Sequence, residues 1–258
     1  MINFMVANMQ PQLQRYVPER IELLVKAQIE NSIELGWHKE DIVIVANFNF
    51  EFMGVKTIKT KLNNFCQTGS KIFALYWYMK NGIINDVIWS HDLDAWASVP
   101  FGCPDFEKDV GGTQYNNFKW NGGSTFWTPR SFDIVEEILR RLVEGKEPKE
   151  EPTLNRVFKS KEYRDRISVV NHTYNVGCSG YVPRFKKSLL PIRVCHFHPY
   201  NGVAWEIHAL DRDGAGCISV SPRLEKLLRK YYPLATELRP RKKKKKKPLL
   251  LTKKIEKQ

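Results

Sequence analysis

The most informative segment of the chain is Asp86-Val87-Ile88-Trp89-Ser90-His91-Asp92-Leu93-Asp94-Ala95-Trp96. Its β-branched and aromatic run, Val87 to Trp89, predicts a buried strand. Asp92 and Asp94 follow, and residues two apart in an extended chain share a face, so both carboxylates can enter one site. Neighbouring carboxylates repel each other and coexist most easily around a hard divalent cation. The segment therefore predicts a metal–diphosphate site at a strand end, with a solvated loop as the alternative.

The flanking sequence predicts an α/β fold. Strands are expected at residues 3–7, 41–46 and 55–60, and helices at 18–36 and 71–79. The continuous apolar run at 42–46 is typical of a parallel strand that is buried on both faces. Strands that alternate with helices predict a mixed, largely parallel sheet flanked by helices. Ligands of such sheets bind outside the carboxyl ends of the strands, where Asp92 and Asp94 are expected.

Several further elements are predicted after the acidic segment. Residues 118–127 suggest a strand–turn–strand element whose paired glycines, Gly122 and Gly123, either admit a ligand close to the backbone or form an ordinary turn. Ser131 is expected to cap a helix at 132–143. Residues 192–199 predict a strand ending in His196 and His198, a pair that either binds a metal or is structural. The remaining predictions are helices at 153–158 and 224–231 and a strand at 167–170.

Missing motifs narrow the function. The chain has no Gly-x-Gly-x-x-Gly after the first strand, no Gly-x4-Gly-Lys-Ser/Thr and no Gly-x-Ser-x-Gly. Dinucleotide oxidoreductases, P-loop enzymes and α/β-hydrolases are therefore disfavoured. Five cysteines without a Cys-x-x-Cys pair argue against a disulfide scaffold or a zinc knuckle and indicate a reducing compartment. With neither a cleavable signal nor a membrane-spanning stretch in the sequence, we expect a cytoplasmic protein, in the host cytoplasm if the source is viral.

The basic charge is concentrated at the C-terminus. The chain carries a net charge of +13, and residues 239–258 contain eleven Lys/Arg and one acid, which leaves +3 for the rest. We expect a domain at 1–236 and a disordered basic tail at 237–258, because like charges repel. The six lysines at 242–247 predict a polyanionic partner, either nucleic acid or an anionic membrane surface into which the leucines at 249–251 insert. A solubilising tail or a localisation signal is the alternative.

Five short motifs follow one another along the chain. They are Asp92-Leu93-Asp94, Asn121-Gly122-Gly123, the segment 150–155, Tyr174-Asn175 and His196-Phe197. Their order resembles the GT-A glycosyltransferases, in particular the family 8 type that includes glycogenin and bacterial galactosyltransferases, and a viral DNA-modifying member is one candidate. The resemblance spans about residues 2–200 and implies a GT-A, Rossmann-like fold. Because Glu150-Glu151-Pro152 stands where Asp-Gln-Asp is usual, retention and inversion at the sugar both stay open.

The resemblance implies transfer of a sugar from a nucleotide-sugar donor, expected to be a UDP-sugar, to a hydroxyl group. Asp92 and Asp94 would hold Mn²⁺ or Mg²⁺ against the donor diphosphate. His196, or alternatively His198, would complete the ligand set, and an imidazole ligand favours Mn²⁺.

The resemblance also implies contacts to the donor. Near the anomeric carbon, Glu150 and Glu151 would orient the sugar, stabilise oxocarbenium character or deprotonate the acceptor. Lys71 would contact a phosphate or a donor hydroxyl, or would be an ordinary surface lysine. Four residues at strand ends would face the base and ribose, namely Ala7, Asn8, Ala46 and Asn47. Three residues would contact the donor sugar and the acceptor, namely Asn121, Gly122 and Gly123.

The preferred acceptor is a hydroxymethylated pyrimidine in DNA. An enzyme that acts on such a base has to grip a polyanion and extract the base from the stack. The lysine run would serve this purpose together with four tryptophans, namely Trp89, Trp96, Trp120 and Trp127. A lipid-linked or cell-surface glycan at the membrane face is the alternative.

Two other classes of protein stay open. A non-enzymatic nucleic-acid-binding protein is disfavoured by the charge of only +3 outside residues 239–258. A metal-dependent phosphodiesterase or nucleotidyltransferase would need a further carboxylate for a second metal ion, and none is evident in the sequence.

Overall fold

The computed structural model describes residues 1–9, 18–62, 69–82, 85–114, 118–145, 149–177, 185–198, 208–210 and 217–233. The predicted basic tail lies outside the described residues. Within them, no helix combines the length and the apolar character that crossing a membrane would require.

The fold is built on an eight-stranded mixed sheet with two smaller sheets beside it. The strands are β1 (Ile2–Ala7), β2 (Ile42–Ala46), β3 (Glu51–Phe52), β4 (Val55–Lys59), β5 (Ile88–His91), β6 (Ala95–Ala97), β7 (Val110–Gln114), β8 (Trp120–Trp127), β9 (Ile167–Val169), β10 (Val176–Gly177), β11 (Val194–His196), β12 (His208–Leu210) and β13 (Cys217–Ser219). The large sheet has the strand order β3-β4-β2-β1-β5-β8-β7-β9. β4, β2, β1 and β5 run parallel to one another, and β8 is antiparallel to both β5 and β7. A second sheet has the order β10-β11-β6, and β12 pairs with β13.

Helices cover both faces of the large sheet, which confirms the predicted mixed α/β layering. The helices are α1 (Pro18–Glu34), α2 (Ser70–Asn81), α3 (Phe132–Val143), α4 (Glu150–Lys159) and α5 (Pro222–Tyr231). In β1, Phe4 packs into the core beneath α2, α3 and α4, whereas Met5 packs into the core beneath α1. Successive side chains of a strand point to opposite faces, so a strand that is buried on both sides favours a continuous apolar run. This explains the apolar runs at 4–7 in β1 and 42–46 in β2.

The predicted strand–turn–strand element at 118–127 is wrong. Trp120–Trp127 forms one eight-residue strand that is buried throughout. It pairs with β5 on one side and with β7 on the other, and a register shift in the β7 ladder falls near the glycines. Because partners on both sides bond to this strand, they override the local turn preference of Asn121-Gly122-Gly123.

Smaller corrections concern element ends. α4 begins at Glu150 and not at Thr153, so both glutamates lie in its first turn. β11 ends at His196, which leaves His198 beyond the strand. Ser131 precedes α3, but its hydroxyl donates to the carbonyl of Thr128 and does not cap the helix.

The acidic segment crosses from the large sheet to the small one. After β5 the backbone N–H of Asp92 still donates to Gly123 O of β8 at 3.0 Å, and Ala95 N then donates to Asp92 O at 2.9 Å, which closes a tight turn. Gln28 of α1 is buried, and its amide donates to Leu93 O at 2.8 Å and to Ala95 O at 3.0 Å. The turn is therefore fixed from three directions.

Candidate metal and donor site

A cleft of about 660 Å³ opens beside the turn that joins β5 to β6. The predicted site residues that line it are Asn8, Lys71, Asp92, Asp94, Asn121, Gly122, Gly123, Glu150, Glu151, His196 and His198. Three predicted residues, Ala7, Ala46 and Asn47, do not line it. The fold therefore brings together residues that are far apart in the chain at one strand end.

Strand pairing brings His196 to the two aspartates. β11 runs antiparallel to β6, with His196 opposite Ala95, and Phe197 N donates to Asp94 O at 2.9 Å. His196 Nε2 lies 3.2 Å from Asp94 Oδ1 and 3.6 Å from Asp92 Oδ2. One ligand atom each from Asp92, Asp94 and His196 lies within 4.8 Å of the other two. Two carboxylates and an imidazole at this spacing fit a divalent ion.

His198 lies on the other side of Asp94. Its Nδ1 is 2.5 Å from Asp94 Oδ2, and its side chain is exposed at the mouth of the cleft. Burial opposes ionisation of Asp94, but the two imidazoles outweigh it and hold the pKa of the Asp94 carboxyl below its usual value. His196 and not His198 belongs to the three-residue ligand group, so the two histidines have different positions relative to Asp94.

Lys71 connects Asp92 with Gly122 and Glu150. Its ammonium donates to Asp92 Oδ1 at 2.6 Å and to Gly122 O at 2.7 Å, and it lies 3.0 Å from Glu150 Oε1. Burial opposes its charge, yet Asp92 and Glu150 together hold the pKa of Lys71 above its usual value. The reading of Lys71 as a surface lysine is therefore wrong. It fixes Oδ1 of Asp92 and leaves Oδ2 directed towards His196.

Glu150 and Glu151 occupy the first turn of α4. Burial, together with the nearby carboxylates of Asp92 and Glu151, raises the pKa of the Glu150 carboxyl to about 7 in spite of the Lys71 ammonium. Glu151 Oε2 lies 3.5 Å from Asn121 Nδ2. A carboxyl group with a pKa near neutrality can exchange a proton at working pH.

A buried amide network orients His196. Asn175, which is fully buried, presents Oδ1 to His196 Nδ1 at 3.1 Å and donates through Nδ2 to Asn121 Oδ1 and to Thr113 Oγ1 at 2.5 and 3.0 Å. With Nδ1 turned to this acceptor, Nε2 is the ring nitrogen of His196 that faces the aspartates, and it becomes available to a metal ion once it has lost its proton. The sequence alone indicates no role for Asn175 beyond its place in a motif, because its partners come from three separate strands or their ends.

Two glycines leave room for His196. A Cβ on Gly123 would lie 2.1 Å from His196 Cε1 and 2.5 Å from Nδ1. Gly177 has a φ of +146°, and a Cβ there would lie 2.1 Å from His196 O. The expected benefit of Gly123 was access for a ligand, but the structure shows that its missing side chain admits the imidazole. Gly177 was not singled out from the sequence.

Three of the residues expected to contact the base lie outside the cleft lining. Ala7 and Ala46 have no exposed surface and belong to the core beneath α1. Asn47 accepts from Met9 N at 2.8 Å and donates to Met9 O at 2.9 Å, which ties the ends of β1 and β2 together. Asn8 lines the cleft. Any contact of Ala7 or Ala46 with a donor would therefore use backbone atoms.

The tryptophans do not provide a stacking platform for bases. Trp89, Trp96, Trp120 and Trp127 are each at most 5% exposed. Trp89 and Trp127 donate to Ser124 Oγ and Thr125 Oγ1 of β8, and Trp96 donates to Phe197 O. The expectation that they grip an extruded base is wrong, because they form part of the core around the site.

The structure resembles solved glycosyltransferases. The galactosyltransferase LgtC, crystallised with donor and acceptor sugar analogs, is 10% identical with a TM-score of 0.57, and the match covers 93% of this chain and 98% of that chain. The chain has the GT-A glycosyltransferase fold. The glycosyltransferase GlyE of Streptococcus pneumoniae TIGR4 is 13% identical with a TM-score of 0.52, over 92% of this chain and 65% of that one. The bifunctional glycosyltransferase WbbM is 13% identical with a TM-score of 0.53, over 78% and 46%.

No family model and no curated protein matches the sequence. The similarity to glycosyltransferases is therefore found in the structure, and this structural similarity confirms the predicted GT-A fold.

Replacing Gly123 by alanine tests the packing of His196. The added methyl group would overlap the imidazole and displace it. The Gly123→Ala variant should therefore bind Mn²⁺ about 10- to 100-fold more weakly, which is the range found when a group that holds a metal ligand in place is lost. Isothermal titration calorimetry of the metal measures this. The matched control is Gly102→Ala, since no atom lies within 4 Å of a Cβ there. Unchanged affinity in Gly123→Ala would show that His196 is not a ligand.

Replacing Asn175 by alanine tests the orientation of the imidazole. Loss of the acceptor at His196 Nδ1 should weaken Mn²⁺ binding by about 10- to 100-fold while the two aspartates stay in place. The dissociation constant can be measured by electron paramagnetic resonance of free Mn²⁺. Asn81→Ala, which removes an amide that donates to Trp77 O at the exposed end of α2, is the control. Equal affinities of the Asn175 and Asn81 variants would contradict the role of Asn175.

Proposed function

We propose that the protein is a divalent-metal-dependent glycosyltransferase that moves a sugar from a nucleotide-sugar donor to a hydroxyl group. The observation that carries this proposal is the meeting of Asp92, Asp94 and His196 beside a cleft at a strand end. It is supported by a fold shared with a galactosyltransferase that was crystallised with donor and acceptor sugar analogs.

Asp92, Asp94 and His196 would hold the ion, and the mixed oxygen and nitrogen donor set favours Mn²⁺ over Mg²⁺. Such an ion, when bound, supplies Lewis acidity to a leaving diphosphate. Because the pKa of the Asp94 carboxyl is held below its usual value and Asn175 orients His196, these two groups are already arranged for binding an ion.

The remaining polar residues are proposed to bind and orient the substrates. Lys71 keeps a buried positive charge beside Asp92, which offsets negative charge on a bound diphosphate. Glu150 and Glu151 face the cleft from the first turn of α4 and lie within reach of Lys71 and Asn121. We assign Glu150, whose pKa is near neutrality, to proton exchange, and Glu151 with Asn121 to orientation of the sugar.

The donor nucleotide is proposed to lie at the ends of β1 and β2. Asn8 lines the cleft there, and the pair formed by Met9 and Asn47 fixes the neighbouring backbone. A UDP-sugar stays the predicted donor.

The arrangement argues against the other classes. Among the described residues, Asp92, Asp94 and His196 are the group that meets the spacing for a metal, and Glu150 is paired with Lys71. Glu150 is therefore not available as a ligand for a second metal ion of the kind that two-metal phosphodiesterases use. A buried lysine between two carboxylates in a cleft is typical of an active site, and this favours an enzyme over a non-enzymatic binding module.

Hydroxymethylated pyrimidine in DNA stays the predicted acceptor, with a glycan at the membrane face as the alternative. The DNA prediction now rests on the lysine run at 242–247, since the tryptophans are buried. A cytoplasmic location likewise stays a prediction from the sequence.

Removing a ligand charge tests the metal-dependent transfer. Asp94→Asn should lower Mn²⁺-dependent release of nucleoside diphosphate from a nucleotide sugar by about 100-fold or more, because metal stabilisation is worth several kcal/mol and each 1.4 kcal/mol is about tenfold. Nucleotide release can be followed by a coupled assay. Asp165→Asn, at a side chain that is 85% exposed, is the control. Full turnover by Asp94→Asn would contradict the assignment.

A salt titration of duplex DNA binding tests the predicted polyanion grip. The chain should bind with a logarithmic salt slope of about −0.9 per phosphate neutralised. A variant with the six lysines at 242–247 changed to glutamine should lose most of that slope. Absence of binding at low salt would remove DNA as the acceptor and leave the glycan alternative.

A further inference from the structure

A loop before β11 exposes two consecutive leucines beside two lysines. Leu189 and Leu190 are 63% and 55% exposed, and Lys186 and Lys187 are exposed as well. Single exposed apolar residues are ordinary, but large ones grouped together indicate a surface that contacts something apolar.

The backbone of this loop is held in place. Asn171 Oδ1 accepts from Leu189 N at 3.1 Å, and Thr173 Oγ1 donates to Leu189 O at 2.7 Å. Phe185 anchors the start of the loop in the core that α5 covers, and Ser188 N donates to its carbonyl at 3.1 Å. The exposure of both leucines is therefore built into the loop, with buried groups supporting it on the inner side.

The charge of the loop is uniformly positive. Residues 185–193 contain three basic residues, namely Lys186, Lys187 and Arg193, and no aspartate or glutamate. The predicted domain at 1–236 carries a net charge of +4, so this short segment is strongly basic in comparison. Positive charge next to exposed leucines complements a surface that is anionic outside and apolar beneath.

We infer that residues 186–190 form a membrane-docking surface that binds bilayers containing anionic lipid. Leu189 and Leu190 insert at the boundary between headgroups and acyl chains, and Lys186 and Lys187 contact the headgroups. Each basic residue near such a surface strengthens binding by about fivefold. The tail repeats this chemistry in its sequence, with lysines at 242–247 and leucines at 249–251, and stable anchoring of a peripheral protein commonly takes two such signals.

The docking surface lies close to the catalytic site along the chain. His196 follows Leu190 by six residues, so their Cα atoms are at most about 22 Å apart. With the proposed function, docking through residues 186–190 would bring the cleft near a glycan at the membrane face, which is the alternative acceptor given above. The docking itself does not depend on that function.

Vesicle binding by the full chain tests the docking surface. The chain should sediment with vesicles of phosphatidylcholine mixed with phosphatidylglycerol, and more weakly with phosphatidylcholine alone. The double variant Leu189→Ser/Leu190→Ser should bind the mixed vesicles about 10-fold or more weakly. The matched control is Met53→Ser/Val143→Ser, since both residues are exposed apolar residues elsewhere on the surface.

Two further variants separate the loop from the tail and from a loss of folding. In a chain whose lysines at 242–247 are changed to glutamine, Leu189→Ser/Leu190→Ser should still weaken vesicle binding by the same factor. Lys186→Gln/Lys187→Gln, which alters only exposed side chains, should weaken binding to the mixed vesicles by about 25-fold.

The inference is overturned if the leucine and loop-lysine variants bind mixed vesicles as tightly as the unchanged chain. It is also overturned if the full chain binds duplex DNA but neither kind of vesicle. Because the readout is sedimentation, loss of docking can be told apart from loss of sugar transfer, which the nucleotide-release assay reports.

Discussion

Asp92 and Asp94 lie one residue apart on a tight turn, and their mutual repulsion determines what surrounds them. Lys71 compensates one carboxylate, and His196 and His198 face the other. Each aspartate uses its two oxygens for different partners, with Lys71 on Oδ1 of Asp92 and His196 nearer Oδ2. The cationic and imidazole partners thus hold the carboxylates in place and leave oxygens directed at a common point, which is the arrangement a divalent ion requires.

The same turn is also a junction of the fold. It carries the chain from β5 of the large sheet to β6 of the small sheet, and β11 pairs with β6 to bring in His196. β8 supplies Asn121, Gly122 and Gly123 from the neighbouring position in the large sheet, and α2 supplies Lys71. Stability of the sheets and geometry of the site therefore depend on the same backbone pairings, so the ligand positions are preorganised by the core.

The acidic strand end and the parallel sheet could be predicted because both follow from local patterns. The apolar run that begins at Val87 predicts a buried strand, and Asp92 and Asp94 mark its end. The continuous path of β8, the support of His196 by Asn175 and the space left by Gly123 could not be predicted in this way. Each depends on partners outside the local sequence, such as β5 beside β8 or His196 against Gly123, and tertiary pairing overrides the local turn preference of an Asn-Gly-Gly sequence. The buried tryptophans show the same limit, because composition does not distinguish a core ring from an exposed one.

Anomalous X-ray diffraction from crystals grown with Mn²⁺ and UDP tests the central claim most directly. We expect one strong manganese peak bonded to carboxylate oxygens of Asp92 and Asp94 and to Nε2 of His196, with Asn175 still contacting Nδ1 of the same imidazole. A manganese peak bonded to other residues, or a His196 ring turned away from the ion, would contradict it.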